Sequence, residues 1–353
     1  MKIKLAVLEK DINYLKRIND TFENRYTDNV HIFRFTDKEI ALKSIEENKI
    51  DVLFAYEEFD IEEDEIPKRC GFAYLSDSND KLEVKGYKSV GKYQNVDLIY
   101  KAVLNVYAEK GNDINLDNGN GDASKIICFT SPAGGVGKTS TAIACAKRMS
   151  ATGKKVLYLD LDCLGDTRLF LSGEGQMDFG EIIFALKSQK GNLSIKLESN
   201  VKTDASGIDY FESCKVPLDI GELNKEDIAK LLTAIRMQGK YQYIIIDKCF
   251  ELSDVFNVII KDSNEIVLVS DGTDISNNKL VKVNSVIEIL QDRDDTDIKR
   301  KVSVLYNKFS SKNGKVINGL ELRDLGGIQR YEGAEHNQLI EEVARMDVFD
   351  KLL

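Results

Sequence analysis

The sequence predicts an α/β chain built as two doubly wound domains with mainly parallel sheets, and three observations point there. The 353 residues exceed what one core usually serves, since single cores stop growing near ~250 residues. Residues 111–124, GNDINLDNGNGDAS, are rich in Gly, Asn and Asp and carry too little apolar surface to order themselves. Short apolar runs alternate with helical patterns on both sides of that stretch. The expected division is a domain over 1–110, a linker over 111–124 and a second domain over 125–353.

In the front domain the runs Ile3–Leu8, His31–Phe35, Val52–Tyr56, Phe72–Leu75 and Tyr87–Val90 read as five strands, with helices near 11–24, 37–48 and 95–109. Behind the linker, Ile126–Phe129, Val156–Leu159, Tyr243–Ile246, Ile266–Val269 and Val302–Tyr306 are short and β-branched-rich, as in a parallel sheet covered on both faces. Right-handed crossovers bring the C-terminal ends of such strands, and their functional loops, to one edge. Residues 172–224 form a weakly patterned insertion in which Phe179, Ile182, Ile183 and Leu186 suggest one helix and where partner contacts are expected. The tail places Leu339, Val343, Met346 and Phe349 at helical spacing but carries more acid than base, so packing on its own core is the expected use.

No run approaches the ~20 apolar residues of a membrane span, so no integral membrane segment is expected. The start, MKIKLAVLEKD, meets acids too soon for a signal-peptide core, so a cytoplasmic location is expected. Cys70, Cys128, Cys145, Cys163, Cys214 and Cys249 are scattered without metal-ligand spacing and read as small core residues. A net charge of −10 opposes phosphate neutralisation, which argues against nucleic acid as a partner.

The segment KIICFTSPAGGVGKTSTAIACAKRMS runs strand, glycine loop, helix. Gly134, Gly135, Val136 and Gly137 can turn backbone N–H groups towards a phosphate chain, and Lys138 supplies a charge for its β and γ phosphates. Thr139 can ligate magnesium, and the helix start adds its positive dipole end. This is a P-loop, and ATP with Mg²⁺ is the expected ligand. Asp160 and Asp162 end the next strand on the loop edge, and Asp247 ends the apolar run YQYIIID, where a Walker B carboxylate holds magnesium through water.

Together AGGVGKTS, the DLD motif, IIID and LYNKF resemble, in order, the MinD and ParA superfamily of deviant Walker ATPases over residues 125–353. The resemblance implies a P-loop NTPase domain that sandwiches two ATP molecules in a homodimer. It gives Lys138 the phosphates, Thr139 the Mg²⁺, Asp160 and Asp247 the metal waters, Asp162 the attacking water, Ser140 the α-phosphate and Asn307 the adenine. One departure stands out. The family's signature lysine lies five residues before the P-loop lysine and reaches the partner's phosphates, but here that position is Ala133, after Pro132. Trans-acting cations of this kind are worth ~10³ to 10⁵ in rate, so slow or absent hydrolysis is expected. Lys248 is the candidate substitute, against its plainer use as a solvated loop charge.

Residues 1–109 resemble a response-regulator receiver, a flavodoxin-like fold. Glu9 and Asp11 approximate its acid pair, Ser76 its hydroxyl and Lys92, before Tyr93, its lysine, but Tyr56 stands where the phosphoacceptor aspartate belongs and Glu57 faces the other side. A phenol cannot form the acyl phosphate, so a degenerate, protein-binding receiver is expected. Receiver followed by lysine-deficient ATPase is the arrangement of the TadZ and CpaE proteins. That resemblance implies a scaffold at the cell pole that recruits the secretion machinery of tight-adherence pili. Two other classes stand beside it: a cycling ATPase of DNA partition or membrane positioning, and a phosphorylated signalling output protein.

Overall fold

The computed structural model describes residues 2–110, 124–188, 192–294, 297–310, 312, 314–317, 319–333 and 335–353. The chain divides into two compact units, Met1–Asp117 with Phe184–Asn200, and Asn118–Ile183 with Val201–Leu353. All of the expected linker but Ser124 lies outside the described residues.

The first unit runs β1 (Ile3–Leu8), α1 (Ile12–Arg25), β2 (Val30–Phe35), α2 (Lys38–Glu47), β3 (Val52–Tyr56), β4 (Gly71–Ser76), β5 (Glu83–Val84), β6 (Tyr87–Gly91) and α3 (Val96–Ala108). Its sheet order is β2-β1-β3-β4-β6-β5, parallel except for the last pair. The five expected strands are present, and β5 adds a short sixth. Lys85 and Gly86, both at positive φ, make the two-residue turn that folds β5 back on β6. α1 starts on Asp11, whose carboxylate accepts the Asn13 and Tyr14 amides, and it buries the stripe Leu15, Ile18 and Phe22 against the sheet.

A segment from far along the chain completes this unit. After α5 (Gly180–Ser188), the short α6 (Leu193–Asn200) packs on α3. Ile195 is fully buried in the cluster containing Leu5, Phe54 and Val103. The Lys196 ammonium donates to the Asn105 carboxamide, and Asn105 Nδ2 donates to Asn200 Oδ1 at 3.1 Å. The insertion thus holds more than the one expected helix, and part of it belongs with the front of the chain.

The second unit runs β7 (Lys125–Thr130), α4 (Lys138–Ala151) and β8 (Val156–Asp160). Beyond the insertion come β9 (Lys202–Thr203), β10 (Asp209–Tyr210), α7 (Leu218–Gly221), α8 (Lys225–Met237), β11 (Tyr243–Asp247), α9 (Asp254–Asp262), β12 (Glu265–Ser270), α10 (Asp274–Asp294), β13 (Val302–Phe309), β14 (Arg323–Gln329) and α11 (His336–Ala344). The sheet order is β14-β13-β12-β7-β11-β8-β10-β9, and only β9 with β10 is antiparallel. β7 lies between β11 and β12, so the chain leaves its C-terminal end into a crevice bordered by both neighbours. The tail packs on its own core as expected: Val343, Phe349 and Leu352 are buried in the cluster formed with α4, and Arg148 pairs bidentately with Asp350 at 2.8 Å. No described helix is long and apolar enough to cross a membrane.

Candidate functional site

The glycine loop follows β7 and ends at α4. Ser131 ties its first residue down, donating to the Val269 carbonyl at 2.7 Å and accepting from the Ala133 amide at 3.1 Å. Gly135 and Gly137 have φ of 76° and 85°, where a Cβ is strained, and Gly137 caps α4 without any side-chain acceptor for the first helical amides. Those amides remain for an external anion. Asn307, at the C-terminal end of β13, donates from Nδ2 to the Val136 carbonyl at 2.7 Å. The buried carboxamide predicted to read a base is therefore also a strut of the loop.

Lys138, Asp160, Asp162 and Asp247 come together. β8 and β11 pair in parallel with Asp160 opposite Asp247, which sets both carboxylates at one level of the loop edge. Carboxylate oxygens of Asp160, Asp162 and Asp247 lie within 4.8 Å of one another. The Lys138 ammonium bonds Asp162 Oδ2 at 2.7 Å and also Asp247, which is 1% exposed. Burial is the largest influence on Asp162 and acts to raise its pKa, but the Lys138 charge together with hydrogen bonds from Lys138 and Cys249 holds the carboxyl below its usual range. Asp160 is pushed up to about 6, chiefly by burial, against hydrogen bonds from the Asp162 amide and Ser213. Three carboxylates facing one ammonium leave excess negative charge, and Lys138 stands where a cation is needed. A hard divalent ion fits that donor set. Thr139 and Ser140 sit half-buried in the first turn of α4.

Two members of the site were not anticipated. Tyr158, fully buried on β8, donates its hydroxyl to Asp247 Oδ2 at 2.9 Å and orients that carboxylate. In the sequence it is one more aromatic residue in an apolar strand. Ser213 bonds Asp160 from within the insertion, where no motif marks it.

Comparison with known proteins places this geometry in a family. Residues 1–108 match the family described as TadZ-like, receiver domain, and residues 124–300, half of the chain, match the AAA domain family. The chain belongs to the AAA domain family of ParA/MinD type, carrying a TadZ-like receiver in front.

The chromosome partitioning protein ParA of Caulobacter vibrioides is 27% identical over 129 residues, 35% of this chain and 47% of that protein. The septum site-determining protein MinD of Helicobacter pylori is 30% identical over 123 residues, 35% of this chain and 43% of that protein. The matched region thus spans less than half the length of either relative. A ParA family ATPase from Chlorobium tepidum TLS shares the fold with a TM-score of 0.52 at 18% identity, covering 65% of this chain and 95% of that one.

Around the ParA/MinD-type site two expectations are corrected. Lys248 is not a solvated charge: its side chain is 6% exposed beside Glu251 at 3.4 Å, and the backbone after β11 continues along β7, with the Lys248 amide donating to the Phe129 carbonyl. Not all cysteines are core residues. Cys163 and Cys249 are exposed on the loops flanking Asp162, and the Cys249 amide donates to Asp162 Oδ1 at 2.5 Å.

In the TadZ-like receiver, Tyr56 ends β3 at the phosphoacceptor position and donates to Asp77 Oδ2 at 2.9 Å. Lys92 lies 2.8 Å from Glu9 Oε2, 3.0 Å from Asp77 Oδ1 and 4.0 Å from the centre of the Tyr56 ring. Burial opposes its charge, yet the two carboxylates hold its pKa above the ordinary lysine value. Asp11 is spent as the cap of α1 rather than joining Glu9 as an acid pair, and Ser76 is buried with its hydroxyl accepting from the Ser78 amide at 3.2 Å. Glu57 pairs with Lys81 at 2.8 Å.

Proposed function

We propose that the protein binds ATP with Mg²⁺ at the P-loop, dimerises around the nucleotide and hydrolyses it slowly or not at all. In this reading it serves as a polar scaffold for a tight-adherence pilus machinery. The observation that carries the proposal is the combination of an assembled binding site with Ala133 at the signature-lysine position. Lys138, Asp162 and Asp247 are already in mutual contact, whereas the residue that would send a positive charge across to a partner's phosphates is a methyl group.

Each side chain then has a task. Lys138 exchanges its carboxylate partners for the β and γ phosphates, and the free amides at the start of α4 receive the phosphate oxygens. Thr139, Asp160 and Asp247 hold the metal, directly or through its waters, and Tyr158 keeps Asp247 aimed. Bound magnesium neutralises phosphate charge. Ser140 contacts the α-phosphate, Asn307 the adenine, and Asp162 orients the water. Groups that bind ground and transition states alike are present, while a charge specific to the transition state is missing, which spares affinity and lowers turnover. The TadZ-like receiver supports the pilus assignment, and the location would be cytoplasmic at the pole.

A cycling ATPase of the partition or membrane-positioning kind is the second reading, favoured by the ParA and MinD similarities. Light scattering with no nucleotide, ADP or ATP, alongside phosphate release, separates the two. A dimer that tightens with ATP while phosphate release stays at background supports the scaffold. Rapid release with dimer turnover supports the cycling enzyme. A diffuse fluorescent fusion in cells that still assemble pili without the protein would remove the polar pilus role.

A further inference from the structure

We propose that Lys308 is a positioning residue of the phosphate loop, clamping it together with Asn307 so that its amides are aimed before any nucleotide arrives. The role deepens the nucleotide-binding proposal and rests on it. Lys308 Nζ donates to the Gly135 carbonyl at 2.9 Å, and Asn307 Nδ2 donates to the next carbonyl, that of Val136, at 2.7 Å. Two adjacent side chains thus hold two adjacent peptide groups.

A regular strand cannot do this, because successive side chains point to opposite faces. β13 is not regular at this place. Its pairing with β14 shifts register between Tyr306 and Phe309, and Lys308 has φ of 54°, the left-handed region that a residue with a Cβ seldom adopts. The irregularity turns Lys308 to the same side as Asn307. Strain of this kind persists where surrounding contacts enforce it, and it concentrates at functional sites. The loop is shaped to match: a Cβ built on Gly137 would lie 2.3 Å from Asn307 Nδ2, so the close approach needs glycine.

The consequence follows from peptide geometry. In a trans peptide the carbonyl and the following N–H point in opposite directions, and no cis bond occurs among the described residues. Holding the Gly135 carbonyl fixes the Val136 N–H, and holding the Val136 carbonyl fixes the Gly137 N–H, both directed away from the clamp. A loop with Gly134, Gly135 and Gly137 would otherwise sample many orientations, and ordering it would weaken binding. Ala133 leaves the signature position without a lysine, whereas Lys308, near the end of β13, places its ammonium against the Gly135 carbonyl.

The test uses the full-length protein carrying Lys308→Met or Lys308→Arg. Hydrogen exchange at the Val136 and Gly137 amides is followed by NMR without nucleotide, and ADP and ATP dissociation constants are measured by calorimetry with Mg²⁺. Losing one solvent-accessible charge-assisted bond weakens both nucleotides in parallel by roughly threefold to tenfold. Lys308→Met also accelerates exchange at the two loop amides while the β7 and β11 amides stay unchanged, and Lys308→Arg restores both properties. Loop exchange and both constants within about twofold of the unsubstituted protein, or acceleration spread equally through the core strands, overturns the clamp. If the unsubstituted protein binds neither nucleotide, the nucleotide proposal falls, while loop exchange still decides the clamp.

Discussion

Replacing Ile195 by alanine should loosen the front of the chain, although the residue lies 85 positions beyond the end of the domain expected over 1–110. Its side chain is fully buried in the same cluster as Leu5, Phe54 and Val103. Ile195→Ala removes three carbon atoms, worth ~2.4 kcal/mol of transfer at ~0.8 per methylene. The residual cavity raises this to about 3–4 kcal/mol, because sheet and helices collapse only partly around it. Native-state hydrogen exchange resolves where the loss falls. Opening free energies at Leu5–Leu8 and Val52–Ala55 should drop by about 3 kcal/mol, with those at β7 and β11 within about 0.5. A loss confined to β7 and β11, or below about 1 kcal/mol in β1 and β3, would refute the placement of α6 in the first unit.

Lys138→Ala should abolish ATP binding, since it removes the phosphate charge and leaves Asp162 and the buried Asp247 facing each other without a cation; unchanged affinity by calorimetry would sink the P-loop assignment. Ala133→Lys should raise phosphate release if the missing trans charge limits turnover, and an unchanged rate in a variant that still dimerises with ATP counts against that cause. Asp160 has a folded-state pKa of about 6, above its unfolded value, so the neutral acid favours the fold at low pH and that contribution is lost as pH rises through 6. Divalent-ion affinity has the opposite sign and should fall about tenfold from pH 7 to 5, a dependence that Asp160→Asn should abolish in Mg²⁺ titrations of ATP binding. Burial and the Asp162 charge push the Cys249 thiol up to about 11, so its alkylation at pH 8 should be slow and rise about tenfold per pH unit. Asp162→Asn should speed that reaction, and a rate at pH 8 matching the unfolded protein would contradict the assigned environment.

The parallel strands were legible because burial on both faces enforces continuous β-branched runs: Tyr243–Asp247 is apolar up to its last residue, Asp247. The P-loop was legible because phosphate binding fixes residue types at fixed spacing. β5 was not, since two residues carry no period, and its turn at Lys85–Gly86 depends on a left-handed lysine that no pattern announces. α6 was missed for another reason. Its buried side chains include Lys196, Ser199 and Asn200, which a periodicity rule counts as solvent-facing, yet they bond one another and Asn105. Exposure of Cys249 and burial of Lys248 misled in the same way, because these residues after Asp247 are placed by hydrogen bonds to Asp162 and to β7 rather than by hydropathy.

Both halves of the chain solve one electrostatic problem with the same device. In each, strand ends gather carboxylates at the loop edge, and such a cluster is costly to bury unless a cation offsets it. In the receiver Lys92 is shared by Glu9 and Asp77, one ammonium to two carboxylates, and the Tyr56 hydroxyl donates to Asp77 beside it. At the P-loop Lys138 is likewise shared by two carboxylates, Asp162 and Asp247, but Asp160 adds a third beside them, its pKa raised to about 6 chiefly by burial. The third carboxylate gives the second site more to gain from an added cation than the first, where Tyr56 stands in place of a further acid. That one additional acid per lysine is why the proposed metal and phosphate chemistry is sought in the second unit.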